Sequence, residues 1–555
     1  MERIWYKSWP DNLPRSISYL NGEMPLHEYL RHNARQFPSK TAYIYYGTEI
    51  TWKDLDLYSD SVSNFLLSKG YKKGDMIVLF MQNCPQYIIA HYGIQKIGAI
   101  VGPASPMFKE MELKYEVGDL GARAIFTTGD LYPVVEKILD KTSLEHVIVT
   151  SYKDFLPEKT TIPFPPDVDR DRKIPTGAYD MMEILKDYDP AVPPIDIDIW
   201  NDVSLMVYTS GTTGRPKGAM LTYGNALFKT AAAYHSYEGD PGETFLTVAP
   251  VFHIAGMVMG VNMPVYGSNS IVLLTRFDPA AVITTIERYK CSMWYSIVPM
   301  NLAILNYPGL EKADLSSLKR NPCTSFGVAL TENICRDWKE LTRGCIMFES
   351  SYGLSETHTC DTFMPVAKET RFGSCGIPTF DTDVRIVDPD TGRDLGVGQQ
   401  GEIAIKNPGV FKGYWNNPEG TRKTLRDGWV FTGDMGYIDE DGFLYFNGRL
   451  KEMIKCSGYS VFPEDVETLL LEHPAVQQVA VIGVPDPVRG ESVKAFIVLK
   501  AEYRDKISPE EIINWSKEHI AAYKYPRHVE FRSALPATGT GKVLRRLLKE
   551  DSGQS

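Results

Sequence analysis

The sequence predicts an α/β fold: a large N-terminal domain of α/β subdomains with parallel-type sheets, and a small α+β domain behind it. Three observations carry that prediction. The chain has 555 residues, and a single hydrophobic core stops growing near ~250–300 residues, so one compact domain is excluded. Short runs that are apolar throughout alternate with stretches of helical spacing, the order of a parallel sheet covered on both faces. Past residue 450 the pattern changes to a compact set of strands and helices, a unit of roughly one hundred residues.

Taken in order, Tyr58, Val62, Phe65 and Leu66 fall at i, i+4, i+7 and i+8, an amphipathic helix that Gly70 closes. Gly74-Asp75 leads into the apolar strand 76–80, and 85–97 reads as the next helix. Gly98 to Val101, Ala124-Ile125-Phe126 and His146 to Val149 continue the strand series. The Pro- and Asp-rich stretch 156–197 reads as an irregular surface excursion. Asp439-Glu440-Asp441-Gly442 forms a turn before a short strand at 443–446. Pro463-Glu464-Asp465 then opens a helix with acids in its first turn. Strands at 478–484 and 493–499 and a helix from Ser508 follow. The expected division is 1–447, a hinge at 448–451, and 452–555.

Composition narrows the function. Fifty-nine Lys and Arg against 70 Asp and Glu give a net charge of −11, which repels a phosphate backbone and argues against nucleic acid. The eight cysteines contain no CxxC pair, so they read as reduced thiols in the cytoplasm rather than a disulfide framework or zinc site. The first residues lack the apolar run of a signal peptide, and the longest apolar stretches are far below a membrane span. Oligomeric state is left open, a homo-oligomer included.

The sharpest chemical signal is Tyr208-Thr209-Ser210-Gly211-Thr212-Thr213-Gly214-Arg215-Pro216-Lys217-Gly218, directly after an apolar strand. Three glycines free backbone N–H groups to converge on an anion, and four hydroxyls and Lys217 add donors. A loop of this composition grips a polyphosphate. It is not a Walker A loop, because Pro216 and Gly218 stand where glycine and Ser/Thr are required.

Five further segments follow in order: Pro250-Val251-Phe252-His253-Ile254-Ala255-Gly256, Ser351-Tyr352-Gly353-Leu354-Ser355-Glu356-Thr357, and Trp429-Val430-Phe431-Thr432-Gly433-Asp434. Then come Gly448-Arg449-Leu450-Lys451-Glu452 with Ile454 to Tyr459, and Pro536-Ala537-Thr538-Gly539-Thr540-Gly541-Lys542. With the phosphate loop, this series resembles the adenylate-forming superfamily of acyl-CoA synthetases, peptide-synthetase adenylation domains and luciferases. The likeness extends over nearly the whole chain and is greatest to medium- or long-chain fatty-acid–CoA ligases.

That resemblance implies an AMP-forming acid–thiol ligase using ATP, Mg2+ and coenzyme A. It implies catalytic roles for Lys542, Glu356, Thr209 and the hinge residue Lys451, about which the small domain swings. The ATP site would comprise Thr209, Ser210, Gly211, Thr212, Thr213, Gly214, Lys217, Ser351, Tyr352, Gly353, Ser355, Glu356, Asp434, Arg449 and Lys542. Glu356 and Thr209 would hold the metal. Tyr352 would lie on the adenine, and Asp434 with Arg449 suits the ribose hydroxyls, since a carboxylate accepts both protons. Coenzyme A would meet Lys455, Ser457, Gly458, Tyr459, Arg489 and Lys517; a side chain at Gly458 would obstruct the pantetheine.

The acyl pocket is expected from His253, Met257, Phe326, Gly327, Val328 and Gly353. Acetate-restricted relatives carry tryptophan at the place of Gly353, so glycine implies an open pocket and a medium- or long-chain acid. Ser325-Phe326-Gly327-Val328-Ala329-Leu330 departs from the family's glycine pair and Ala-Pro, adding bulk at Phe326 and Val328. A short-chain or hydroxy acid such as 4-hydroxybutyrate is the alternative substrate. A stand-alone amino-acid adenylation enzyme and a luciferase-like oxygenase are the alternative classes, although no acidic partner for an ammonium group stands out.

Overall fold

The computed structural model describes residues 3–552 apart from 210–215, 326–327, 366–369, 457–458, 488 and 539–542, and describes the backbone alone at 459–460. Among the described residues, one eight-stranded sheet runs in the order Gly413–Tyr414, Lys217–Thr222, Val203–Thr209, Ile100–Pro103, Met76–Phe80, Ala124–Thr128, His146–Thr150, Tyr179–Asp180. It is parallel from Val203–Thr209 onward and antiparallel at the edge that carries Lys217 and Tyr414. Its strand Met76–Phe80 is buried at every position, as continuous apolar runs require.

A second sheet of eight strands is parallel except for the hairpin of Thr41–Tyr45 with Thr48–Thr51. The helix Pro85–Lys96 is buried throughout and Tyr223–Ser236 nearly so, and one continuous core packs around them. Trp52, Trp294 and Trp338 are its largest enclosed side chains.

A third, five-stranded antiparallel sheet spans Asp383–Val387, Gly401–Lys406, Leu425–Arg426, Trp429–Ile438 and Leu444–Arg449. Parallel-type sheets were expected of the large domain, and two of its sheets are mainly parallel while this one is antiparallel. The difference is physical: these strands mix buried and half-buried positions rather than running buried throughout, and neighbouring strands pair antiparallel. The excursion at 156–197 is also more ordered than its composition suggests. Asp180 caps a helix, Met181–Asp187, by accepting from the Met182 N–H at 2.9 Å, and Ile162, Val168, Met181 and Ile184 are buried against the core.

From Ile454 onward the chain builds its own core of Ile454, Val481, Ile497, Ile512 and Tyr525. Val476–Asp486 and Gly490–Leu499 form a hairpin longer than the sequence marks, and Ser508 caps the helix Pro509–His519 in a capping box. Among the described residues no helix is long and apolar enough to cross a membrane.

Candidate active site

The candidate phosphate loop is hung between two paired strand ends. Thr209, the last residue of its strand, lies opposite Lys217 in the antiparallel register. Ser210, Gly211, Thr212, Thr213 and Gly214 lie outside the described residues. One strand further out, Tyr414 pairs with Ala219, and the Trp415 N–H donates to the Gly218 carbonyl at 2.8 Å. This register places the Tyr414 ring 5.1 Å from Lys217 Nζ, a cation–π contact. The Tyr414 hydroxyl then donates to Glu356 Oε1 at 2.6 Å, while the Glu356 carbonyl accepts from the Phe411 N–H at 2.9 Å. Thr209, Lys217 and Glu356 are thereby gathered at one sheet edge.

Magnesium suits this donor set. A single carboxylate with one oxygen held by Tyr414, together with substrate phosphates, is how Mg2+ is ordinarily bound. Among the described residues no group of three or more His, Cys, Asp or Glu forms a closed metal cage.

The second half of the site is built on the antiparallel sheet. Asp434 stands opposite Arg449 in register, and Arg449 Nε meets Asp434 Oδ1 at 2.8 Å. The Tyr352 hydroxyl donates to Asp434 Oδ2 at 2.6 Å, and the Asp434 N–H donates to Thr432 Oγ1 at 3.0 Å. Burial, joined by the Asp434 charge, holds the Tyr352 phenol well above its ordinary pKa, so it stays a donor. Burial works against the Arg449 charge, yet Asp434 and the other nearby acidic groups outweigh it and raise its pKa. The Tyr352 ring lies 6.0 Å from that of Phe446, which backs it.

Ser351 and Ser355 lie on the same segment, Ser355 opening the short turn Ser355–Thr357. Gly353 has a cause nearer than pocket width. A Cβ there would lie 2.7 Å from the Cys360 nitrogen and 2.8 Å from the Thr359 Cα, so the returning backbone itself excludes a side chain.

Lys451 sits in the turn Leu450–Glu452, and its pKa is lowered, first by burial and then by the charges of Lys217, Arg449 and Lys423. It therefore joins a rim of cations suited to an anion. Lys542 lies outside the described residues, but the base of its loop is closed by the Ala537–Val543 bridge and a Leu544 N–H to Pro536 carbonyl bond of 2.8 Å.

The coenzyme A candidates are less gathered. Lys455 is exposed on strand Ile454–Cys456, Ser457 and Gly458 lie outside the described residues, and Tyr459 is described by its backbone alone. Arg489 pairs with Asp486 at 3.3 Å, and Lys517 donates to Asn514 at 3.2 Å on the exposed face of its helix. On the acyl side, Met257 is buried and Val328 packs on the core; His253 precedes the helix Ile254–Met257, and Phe326 and Gly327 lie outside the described residues.

Several contributing residues escape sequence reasoning. Tyr414 is one, its importance arising from strand register. Asn83 is another: it fixes the segment before His253 by donating to Ala249 O at 3.0 Å and accepting from the Val251 N–H at 2.8 Å. Glu349, at the end of strand Ile346–Glu349, accepts from the N–H of Ser325 at 3.1 Å and from its hydroxyl at 2.5 Å, just before Phe326. Arg545 is a further one: it meets Glu452, Glu464 and Glu467 within 2.9 Å. Its charge is matched by acids distant in sequence, which composition does not reveal.

The family model described as AMP-binding enzyme matches residues 30–415, and the AMP-binding enzyme C-terminal domain model matches 465–542. A long-chain-fatty-acid–CoA ligase of Bacillus subtilis (strain 168) is 36% identical, over all of this chain and 99% of its own. A feruloyl-CoA synthase of Amycolatopsis sp is 33% identical over 92% of this chain and 96% of its own. The crystal structure of the anthranilate CoA ligase AuaEII in complex with anthranoyl-AMP superposes with a TM-score of 0.84 at 26% identity, covering 98% of each chain.

Proposed function

The chain belongs to the AMP-binding enzyme family and is an acid–thiol ligase, and from that premise we propose that it joins a medium- or long-chain fatty acid to coenzyme A by way of an acyl-adenylate. The observation that carries the reading is the meeting of two preformed groups, Lys217–Tyr414–Glu356 and Tyr352–Asp434–Arg449, on adjoining sheet edges. One is suited to a triphosphate, the other to a nucleoside. The long-chain relative, aligned from end to end, supports the acid class.

The chemistry runs in two steps. A carboxylate oxygen of the acid attacks the α-phosphorus of ATP, the bond from that phosphorus to the bridging oxygen breaks, and pyrophosphate leaves. Negative charge gathers where two anions meet, so fixed donors and cations lower the barrier. Lys217, the loop hydroxyls and Lys542 are assigned that work, while Asp434 and Arg449 fix the ribose and Tyr352 the adenine. Glu356, with Thr209, would hold Mg2+, whose charge neutralises the phosphates. In the second step the thiol sulfur of coenzyme A attacks the acyl carbon, the acyl–phosphate bond breaks and AMP leaves, the thiol proton passing to solvent. A thiol near pKa ~8.5 meeting a reactive anhydride needs a route more than a base. We assign that route to Lys455, Ser457, Gly458, Tyr459, Arg489 and Lys517, brought into place by a swing of the small domain about Lys451. The eight cysteines, none in a disulfide, support a reducing, cytoplasmic setting.

An aryl acid is the second reading, favoured by the feruloyl-CoA synthase and the anthranilate ligase. The deciding experiment measures AMP and acyl-CoA formed from ATP, magnesium, coenzyme A and acids from two to eighteen carbons, with 4-hydroxybutyrate, benzoate and ferulate alongside. A maximum among medium or long straight chains supports the proposal; a maximum at a short, hydroxylated or aryl acid keeps the mechanism and replaces the substrate. Within the same assay Lys542→Ala is expected to abolish adenylate formation while sparing thioester formation from supplied acyl-adenylate. Equal loss of both steps would make Lys542 structural.

A further inference from the structure

The segment that carries Tyr352 and Glu356 closes on itself in an unfavourable conformation. His358, Thr359 and Cys360 all have positive φ, at 56°, 58° and 50°, where side chains crowd the backbone. Such a run persists when the surroundings over-determine it. Here the Thr359 N–H donates to Leu354 O at 2.7 Å, the Asp361 N–H to Tyr352 O at 2.8 Å, and the Tyr352 N–H to Thr362 Oγ1 at 2.8 Å. Those three bonds run within the loop itself.

Besides the bonds of Glu356 and Tyr352 described above, a buried charge pair attaches the loop. Lys229, on the helix Tyr223–Ser236, and Asp361 are both fully enclosed, with Nζ 2.5 Å from Asp361 Oδ1. Lys229 also donates to Cys360 O at 3.2 Å, at the end of the left-handed run. Asn407, next to the strand Gly401–Lys406 of the antiparallel sheet, donates to the same Asp361 oxygen at 2.8 Å, and Thr357 donates to the other. One carboxylate thus joins three bodies: the helix that follows the phosphate-loop hairpin, the loop holding Tyr352 and Glu356, and the sheet holding Asp434. Buried ion pairs contribute little net stability, so their value lies in fixing an arrangement.

Resting on the ligase reading above, we propose that Lys229 and Asp361 are positioning residues that set Tyr352 and Glu356 against Asp434 and Lys217, and thereby tune the site for ATP. Neither is placed to touch a substrate; they act through the loop.

The test uses the full-length enzyme and the variants Asp361→Asn, which keeps the size, and, should the first not fold, Thr357→Val, which removes one hydroxyl with its contacts to Asp361 and Leu354. Three quantities are read: ATP affinity by calorimetry without acid, KM for ATP against kcat in ATP–pyrophosphate exchange, and thioester formation from supplied acyl-adenylate. The expected result is a tenfold or greater weakening of ATP binding with a matching rise in KM, while the thioester step stays within about twofold. A loss confined to melting temperature, or an equal loss in every step, overturns the proposal and leaves the pair structural. Wild-type enzyme that binds ATP but forms no acyl-CoA would overturn the functional reading instead, and the calorimetry would still decide the positioning role.

Discussion

The phenol of Tyr352 and the guanidinium of Arg449 each hold one oxygen of Asp434, so the carboxylate is fixed before any ribose arrives. A hydrogen bond to a charged group contributes about 1.5–3 kcal/mol. Tyr352→Phe keeps the ring and deletes that bond, and each 1.4 kcal/mol is tenfold in affinity. KM for ATP should therefore rise about tenfold or more, with kcat changed less, in steady-state kinetics at saturating acid. Glu349 poses a different residue-level question. Burial pushes its carboxyl up to about 7, partly offset by the Ser325 hydroxyl and N–H. A carboxyl whose folded pKa lies above its unfolded value contributes stability that is full below the unfolded pKa and lost as pH rises through the folded one. The melting temperature should fall between about pH 5 and 8, and Glu349→Gln should flatten that slope. A slope unchanged in the variant would assign the pH dependence elsewhere.

At the scale of elements, Gly353 separates two explanations. If pocket width alone demands glycine, alanine there would trim long acyl chains and leave the fold intact. If the backbone of Thr359 and Cys360 demands it, even one added methyl, 2.7 Å from the Cys360 nitrogen, must displace the loop. Gly353→Ala should then lower the melting temperature and adenylation for all chain lengths alike, read from rates across an acid series. Legibility in the sequence divides at this level too. The place of the Thr209–Lys217 loop was legible because an apolar strand leads directly into it. The strand 76–80 and the run 124–126 were legible because burial on both faces leaves them without a polar residue. Tyr414 and Asp361 were not, because each acts through register or through partners more than forty residues away: Glu356 for the first, Lys229 and Asn407 for the second. The antiparallel sheet was missed because the Asp434 segment was read for its motif rather than its alternation. The helix Met181–Asp187 was missed because proline and aspartate surround it.

At the scale of the whole molecule, the swing proposed above requires the hinge and the lysine loop to move as one. Arg545 begins the helix Arg545–Asp551, three residues after Lys542, and its guanidinium meets Glu452 at 2.5 Å, Glu464 at 2.9 Å and Glu467 at 2.8 Å. Glu452 adjoins the hinge residue Lys451, and a side chain at Gly448, with φ +125°, would strike the Glu464 carboxylate at 2.2 Å. A single cation therefore binds the helix that follows the lysine loop to the segment beside the proposed hinge, and the same cluster abuts Gly448. Burial raises the Glu464 carboxyl to about 7 even with Arg545 opposing it. Arg545→Met leaves three neighbouring carboxylates without their cation, and breaking a buried pair in this way costs about 3–5 kcal/mol. The cost should fall on the small domain, whose core is separate, and split the thermal transition in calorimetry so that the earlier part belongs to residues beyond 452. ATP binding, set by the large domain, should persist while adenylation is lost. The sign with pH is fixed by the same chemistry: carboxyls with raised pKa take up protons in the folded state, so the defect should shrink as pH falls from about 8 to 6. A defect that is constant across that range would mean that Arg545 contributes packing rather than charge.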